Sequence, residues 1–86
     1  MTPISIKDIK LEIGELIRLR RKQQHLSQEE LAEKMGVSRM TIQKLEAGKN
    51  ATVDTLLKAL RQFDLLEHFK EMVDNQKNSQ SYPSLY

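Results

Sequence analysis

The sequence predicts an all-α fold, a compact domain of five helices. Both prolines lie near the ends, at Pro3 and Pro83, so a long central stretch contains no strong helix breaker. Apolar residues in that stretch recur three and four positions apart, which is the spacing of one helix face. Small hydroxyl residues that can cap helices stand before several of these segments. A chain of 86 residues is long enough for one such domain and too short for two.

The first predicted helix has one face of residues spaced as i, i+3, i+4 and i+7, namely Ile13, Leu16, Ile17 and Arg20. Its start falls between Ser5 and Ile13, and it runs to about Gln24. We therefore expect residues 1–12 to form an N-terminal extension and residues 13–74 to form the domain.

A second helix is predicted to begin at a capping box, Ser27-Gln28-Glu29-Glu30. In such a box the Ser27 hydroxyl accepts from the Glu30 amide, and the Glu30 carboxylate accepts from the Ser27 amide. The apolar face of this helix is formed by Leu31, Ala32 and Met35. Gly36 follows, where a left-handed residue can end the helix.

A third helix follows after a short turn. Val37 is expected to enter the core, and Ser38 can cap the new helix. Ile42 and Leu45 form its apolar stripe, and Gly48 stops it as Gly36 stops the second helix. Two short helices are thus joined by a tight turn that contains glycine.

Two further helices complete the predicted fold. Thr52 can cap the fourth, with Asp54 placed favourably in its first turn. The apolar positions of the fourth helix are Leu56, Ala59, Leu60 and Phe63. A fifth helix is indicated by Leu65, Leu66, Phe69, Met72 and Val73. From Asn75 onward the chain is rich in Asn, Gln, Ser and Lys, so we expect residues 75–86 to form a flexible tail.

The composition restricts the class of protein. The chain has no cysteine, which excludes disulfides and thiolate metal sites. No segment approaches the roughly 20 apolar residues that a membrane span needs. We therefore expect a soluble, cytoplasmic protein with no membrane partner.

The sequence also gives no indication of catalysis. The two histidines, His25 and His68, stand far apart, and neither has a second ligand at metal-binding spacing. No glycine-rich phosphate loop, Ser-His-Asp set or paired acidic site can be identified. We expect no enzyme activity, no metal and no cofactor.

The net charge of +2 is too small to indicate a nucleic-acid partner by itself. Its distribution is uneven, because residues 1–50 carry ten Lys and Arg against seven Asp and Glu, whereas the remainder carries four against five. The densest basic cluster is formed by Arg18, Arg20, Arg21 and Lys22. Most such basic runs are solvated helix faces, so this cluster does not by itself indicate that the protein binds nucleic acid.

The second and third helices have the arrangement of a DNA-binding unit, in which the second of two tightly joined helices lies in the major groove. Two segments, LSQEELAEKMGVS at 26–38 and TIQKLEAGK at 41–49, resemble the Cro/cI-type (XRE) helix-turn-helix family. The resemblance extends from about Ile13 to Phe63. It implies a five-helix domain of the lambda-repressor-like type that binds double-stranded DNA.

The resemblance implies a role for individual residues. Gln28 matches the position that donates to a phosphate at the start of the second helix, where the helix N-terminus also favours an anion. The residues that match the groove-facing edge of the recognition helix are Ser38, Arg39, Met40, Thr41 and Lys44, with Gln43 as a marginal member. Lys49 and Asn50 resemble loop residues that bind the sugar-phosphate backbone. Arg21 and Glu46 occupy positions that pair structurally in family members.

The chemistry of these side chains suggests what each can contact. Arg39 is the best candidate for a bidentate contact to guanine, and Lys44 can contact guanine or a phosphate. Met40 could touch only a thymine methyl or a sugar. The alternative is that Arg39, Lys44 and Lys49 are ordinary surface charges and that Ser38 is mainly a helix cap.

A homodimer is expected for two reasons. One recognition helix covers only a few base pairs, whereas two copies on a two-fold axis would read an inverted repeat with half-sites about 34 Å apart. The apolar residues after Phe63 also exceed what a four-helix domain needs. We expect the self-complementary interface to be formed by Leu65, Leu66, Phe69, Met72 and Val73. The same residues could instead form a fifth core helix within one monomer.

The C-terminal third of the chain resembles one group within this family more closely. The segment TLLKALRQFDLL at 55–66, followed by a helix and a tail with YPSL at 82–85, is similar to HipB-like antitoxins. That similarity implies a repressor of its own operon that also holds a HipA-like kinase toxin inactive. A stand-alone or phage-type repressor without a toxin remains an alternative. A protein-interaction adaptor is a third hypothesis, which the basic residues at positions 39, 44 and 49 disfavour.

Overall fold

The computed structural model describes residues 3–78 and contains five helices in that range. They are α1 (Ile6–Gln23), α2 (Gln28–Met35), α3 (Arg39–Glu46), α4 (Val53–Gln62) and α5 (Leu66–Asn78). No strand occurs among the described residues. The predicted all-α fold of five helices is therefore confirmed.

Helix α1 begins near the earliest start that the sequence allowed. The Ser5 hydroxyl accepts from the Asp8 amide at 2.9 Å, and the Asp8 carboxylate lies in the first turn, where the helix dipole favours a negative charge. Residues 6–12 are consequently helical, although the sequence placed them in an extension ahead of the domain. The local cap at Ser5 explains the earlier start.

Helix α5 also extends beyond the expected boundary, because residues 75–78 of the anticipated flexible tail are helical. An i,i+4 ion pair between Lys70 Nζ and Asp74 Oδ2, at 2.6 Å, lies in the turn that precedes these residues. The remainder of the expected tail, including the YPSL segment, lies outside the described residues.

Helices α2 and α3 are joined by the three residues 36–38. The capping box of α2 is present, with the Ser27 hydroxyl 3.0 Å from the Glu30 amide and the Glu30 carboxylate 2.8 Å from the Ser27 amide. Gly36 ends α2 with φ 71°, a left-handed conformation that glycine adopts without a Cβ penalty. Ser38 then caps α3 through its contact with the Thr41 amide. The turn is tight because each end is closed by its own local hydrogen bonds.

The core lies where the first four helices meet. Ile17, Leu31 and Ile42 are completely buried, one from each of α1, α2 and α3. The other buried apolar residues are Ala32, Met35, Leu45, Ala59 and Phe63. Burying a large aliphatic side chain contributes about 1.5–3 kcal/mol to folding, so this cluster fixes α3 against α1 and α2. The opposite side of α3 is left at the surface.

Helix α5 is peripheral. It follows α4 after a turn in which Asp64 has φ 59°, and it contains no buried residue. Leu65 and Leu66 are half-buried, and Leu65 packs against the core. Phe69, Met72 and Val73 remain 38%, 48% and 37% exposed. The five residues expected at a dimer interface thus form an apolar face that the described part of the monomer covers only in part.

Among residues 3–78, no helix is both long enough and apolar enough to cross a membrane.

Candidate nucleic-acid interface

Helix α3 presents an exposed edge on the side opposite its buried residues. Ile42 and Leu45 face the core, so a helix of 3.6 residues per turn directs positions 40, 43 and 44 outward. Met40 is 59% exposed, and Arg39, Gln43 and Lys44 are also exposed. We call these four residues, Arg39, Met40, Gln43 and Lys44, the α3 edge. The sequence made Gln43 only a marginal member of the groove-facing edge, but in the structure it is exposed like Arg39 and Lys44.

Ser38 and Thr41 lie at the start of α3 and contact each other. The Ser38 hydroxyl accepts from the Thr41 amide at 3.1 Å and lies 2.9 Å from the Thr41 hydroxyl. Thr41 is half-buried. Both hydroxyls therefore take part in the helix cap, which gives them a structural role in addition to any contact with a ligand.

The basic residues of this surface carry uncompensated charge. Within residues 3–78, the ion pairs with carboxylates involve Arg21, Lys58, His68 and Lys70. Arg39 and Lys44 of the α3 edge, and Lys49 beyond it, have no such partner in that range. A surface whose exposed cations have no ion-pair partners attracts polyanions.

Gln28 lies beside the end of α3, where its side-chain amide Nε2 donates to Glu46 Oε1 at 3.1 Å. A glutamine amide has two N–H groups, so this bond leaves the second N–H for another acceptor. Gln28 is also the first residue of α2, where free backbone N–H groups and the helix dipole favour an anion. The sequence did not indicate that Glu46 would orient this side chain.

Arg21 and Glu46 are brought together by the packing of α1 on α3. Arg21 Nε lies 2.6 Å from Glu46 Oε2, and Nη2 lies 3.0 Å from Oε1. A third donor, Nη1, bonds the carbonyl of Leu26 at 2.8 Å. The hydrogen bonds to Glu46 raise the pKa of Arg21 above its ordinary value, so the guanidinium stays charged.

The loop between α3 and α4 continues the same surface. Gly48 has φ 76°, and the Lys49 amide donates to the Lys44 carbonyl at 2.9 Å, which turns the chain sharply after α3. Lys49 and Asn50 are exposed. A cleft of about 180 Å³ lies between α3 and the start of α4, lined by Thr41, Lys44, Asn50, Ala51, Thr52 and Thr55. The loop residues expected to bind a backbone therefore adjoin the α3 edge.

Gly14 is a structural residue that sequence reasoning missed. A Cβ at position 14 would lie 2.5 Å from the carbonyl oxygen of Glu46 and 2.7 Å from that of Leu45, so only glycine allows α1 to approach α3 this closely. The sequence did contain a signal for this role, because Gly14 lies inside a predicted helix. Glycine there destabilises a helix by about 1 kcal/mol relative to alanine, which suggests a packing reason for its presence.

Comparison with known proteins agrees with this architecture. A family model described as helix-turn-helix matches residues 17–67, which is more than half of the chain. A protein of Methanocella arvoryzae, named as an HTH-type transcriptional regulatory protein, is 49% identical over 45 residues. That alignment covers 52% of this chain but 14% of the relative, so the chain spans a small part of the relative's length. The geometry of α2 and α3 and the family match lead to one conclusion: the chain belongs to the helix-turn-helix family.

Proposed function

We propose that this protein is a sequence-specific DNA-binding transcriptional repressor. The observation that carries the proposal is the α3 edge, an exposed row of two cationic side chains, one amide and one methionine on the second helix of a helix-turn-helix unit. The name of the Methanocella arvoryzae relative, a transcriptional regulatory protein, supports a regulatory role.

Contacts to the DNA backbone position the protein. The second N–H of the Gln28 amide and the N-terminus of α2 bind one phosphate, and Lys49 and Asn50 bind the backbone on the far side of α3. Ser38 and Thr41, which form the cap of α3, hold its first turn in shape and contribute hydroxyls beside the bases. The phosphate contacts act on any sequence, because every nucleotide carries a phosphate.

Contacts from the α3 edge supply sequence preference. The Arg39 guanidinium has the fork geometry that fits O6 and N7 of guanine, and Lys44 can donate to the same atoms or to a phosphate. Gln43 can pair with N6 and N7 of adenine, and Met40 can contact a thymine methyl. Each well-formed pair discriminates by about 1–3 kcal/mol against a wrong base.

The repressor acts as a homodimer on an inverted repeat, because one α3 reads too few base pairs to select one site in a genome. The partly exposed apolar face of α5 supplies the two-fold interface through Leu65, Leu66, Phe69, Met72 and Val73. Two α3 helices then lie about 34 Å apart, one turn of DNA between half-site centres.

A narrower form of the proposal is that the repressor is also the antitoxin of a HipA-like kinase. It rests on the similarity of residues 55–66 to HipB-like antitoxins. A stand-alone repressor is the alternative, since the DNA-binding unit would be the same. Co-expression with the product of the adjacent reading frame discriminates the two. Co-purification with a HipA-like kinase supports the antitoxin role, and the lack of a kinase-like neighbour supports the stand-alone repressor.

Footprinting on the DNA upstream of the protein's own gene tests the DNA-binding function. The wild-type protein should protect an inverted repeat, and protection should weaken steeply as salt rises. Lys44→Glu should abolish protection, because it reverses a charge on the α3 edge. Lys77→Glu makes the same reversal on α5 and should preserve it. Equal loss in both variants, or no protected site with wild type, would contradict the proposal.

A further inference from the structure

We propose that Lys10 is an additional DNA-backbone contact, brought to the α3–α4 loop by the first turns of α1. The inference rests on the proposed DNA-binding function and adds a residue to its surface. Lys10 lies before residue 17, where the family match begins, so it belongs to a part of α1 that the match does not include.

Helix α1 lies directly against the loop at this point. A Cβ on Gly48 would be 2.6 Å from Leu11 Cδ2 and 3.1 Å from Leu11 Cα, so the backbone of α1 and the loop are in close contact. Lys10, the preceding residue, donates from Nζ to the side-chain oxygen of Asn50. The packing of α1 on the loop therefore brings the Lys10 ammonium group to Asn50.

Lys10 lies at a pocket between α1 and the α3–α4 loop, together with Lys49. A pocket of about 140 Å³ is lined by Lys10, Ile13, Leu45, Lys49, Ala51 and Leu56. Lysine beside apolar surface usually packs its aliphatic stem there and keeps its ammonium group at the edge. The Lys10 ammonium has three N–H groups, so its bond to Asn50 leaves two for other acceptors.

The charges of this region favour a phosphodiester. Neither Lys10 nor Lys49 forms an ion pair with a carboxylate in the part of the chain described. Two cationic side chains that line one pocket attract an anion such as a phosphate. Asn50, which accepts from Lys10, also lines the cleft beside Lys44, so Lys10 continues the basic surface that starts at the α3 edge.

The salt dependence of DNA binding tests this role, because only a cation that neutralises a phosphate releases a counterion. Fluorescence anisotropy would measure binding of wild type and Lys10→Gln to a short random-sequence duplex and to the upstream DNA, between roughly 50 and 200 mM salt. We expect Lys10→Gln to reduce the slope of log K against log salt by about 1 per bound protomer on both duplexes. Lys10→Arg should restore the slope, and Lys77→Gln on α5 should leave it unchanged.

A merely structural role for Lys10 predicts a different result. If Lys10 served only to hold Asn50, then Lys10→Gln and Asn50→Ala would both weaken binding with the wild-type slope, because an uncharged donor releases no counterion. That result would overturn the proposal and leave the DNA-binding function intact. A lack of salt-sensitive binding by the wild-type protein would overturn both. Circular dichroism and thermal melts of each variant would verify that the domain is folded.

Discussion

Arg21 Nε of α1 lies 2.6 Å from Glu46 Oε2 at the end of α3, and the two side chains are only 10% and 6% exposed. The pair joins the first helix to the helix that carries the proposed base contacts. Glu46 also accepts from Gln28, so one carboxylate connects α1, α2 and α3 at the surface proposed to face DNA. A buried pair of this kind is costly to break, because the remaining charge loses its partner.

Arg21→Met is expected to destabilise the domain by about 3 kcal/mol, since it leaves the Glu46 carboxylate buried without its cation. Urea denaturation followed by circular dichroism would measure the change. The double variant Arg21→Met/Glu46→Met should cost less than Arg21→Met alone, because no unpaired charge remains. A double variant at least as unstable as the sum of the single variants would contradict this account of the pair.

Gly14→Ala is expected to destabilise the protein by about 1–3 kcal/mol, because its Cβ would overlap the carbonyl oxygen of Glu46. Helix propensity alone predicts the opposite sign, since alanine is the better helix former. Glu15→Ala at the next, exposed position is the control and should change stability by less than about 0.5 kcal/mol. A stabilised Gly14→Ala variant would show that α1 and α3 are not in close contact.

The carboxylate of Glu30 is expected to make the free energy of unfolding depend on pH in the acid range. The hydrogen bond from the Ser27 amide, reinforced by the Ser27 hydroxyl, lowers the pKa of Glu30 from its ordinary value of 4.5. A lowered folded-state pKa means that the contribution of Glu30 is present above 4.5 and is lost as the pH falls through the folded value.

Glu30→Gln keeps an acceptor in the capping box and removes the titration. We therefore expect the free energy of unfolding of wild type to fall more than that of Glu30→Gln between neutral pH and about pH 3. Urea titrations at several pH values would measure the difference. Parallel acid dependences in the two proteins would mean that the carboxylate contributes nothing.

Phe69→Glu is expected to dissociate the proposed dimer, because it puts a charge into the apolar face of α5. Sedimentation velocity over a concentration series would measure the association state. Glu71→Gln, on the same helix and exposed, is the matched control and should remain dimeric. A wild-type protein that sediments as a monomer at every concentration, or a Phe69→Glu variant that stays dimeric, would exclude α5 as the interface.

Local features of this fold could be predicted from the sequence. The capping box at Ser27 and Glu30, the left-handed Gly36 and the cap at Ser38 depend on residues within a few positions of one another, and all three are present. The ends of α1 and α5 were less predictable. The hydroxyl of Ser5 was a usable start signal for α1, because its cap contact with Asp8 is local, whereas the polar residues 75–78 have no apolar periodicity that would extend α5.

Features that depend on tertiary contact were not predictable from local pattern. Gly14 matters because the end of α3 approaches it from far along the chain. Gln28 and Glu46 are eighteen residues apart, and Lys10 and Asn50 are forty apart. Such pairs become visible only once the packing of the helices and the α3–α4 loop is known. The pairing of Arg21 with Glu46 was anticipated through family resemblance, not through spacing.

The central claim is that the α3 edge reads bases, and a mutant cycle between Arg39 and the operator tests it most directly. Binding of wild type and Arg39→Ala would be measured on the protected repeat and on every single base-pair change within one half-site. The account predicts that Arg39→Ala weakens binding by about 1–3 kcal/mol and loses its preference at one base pair per half-site, while the other positions keep theirs. An Arg39→Ala protein with the wild-type preference at every base pair would contradict it.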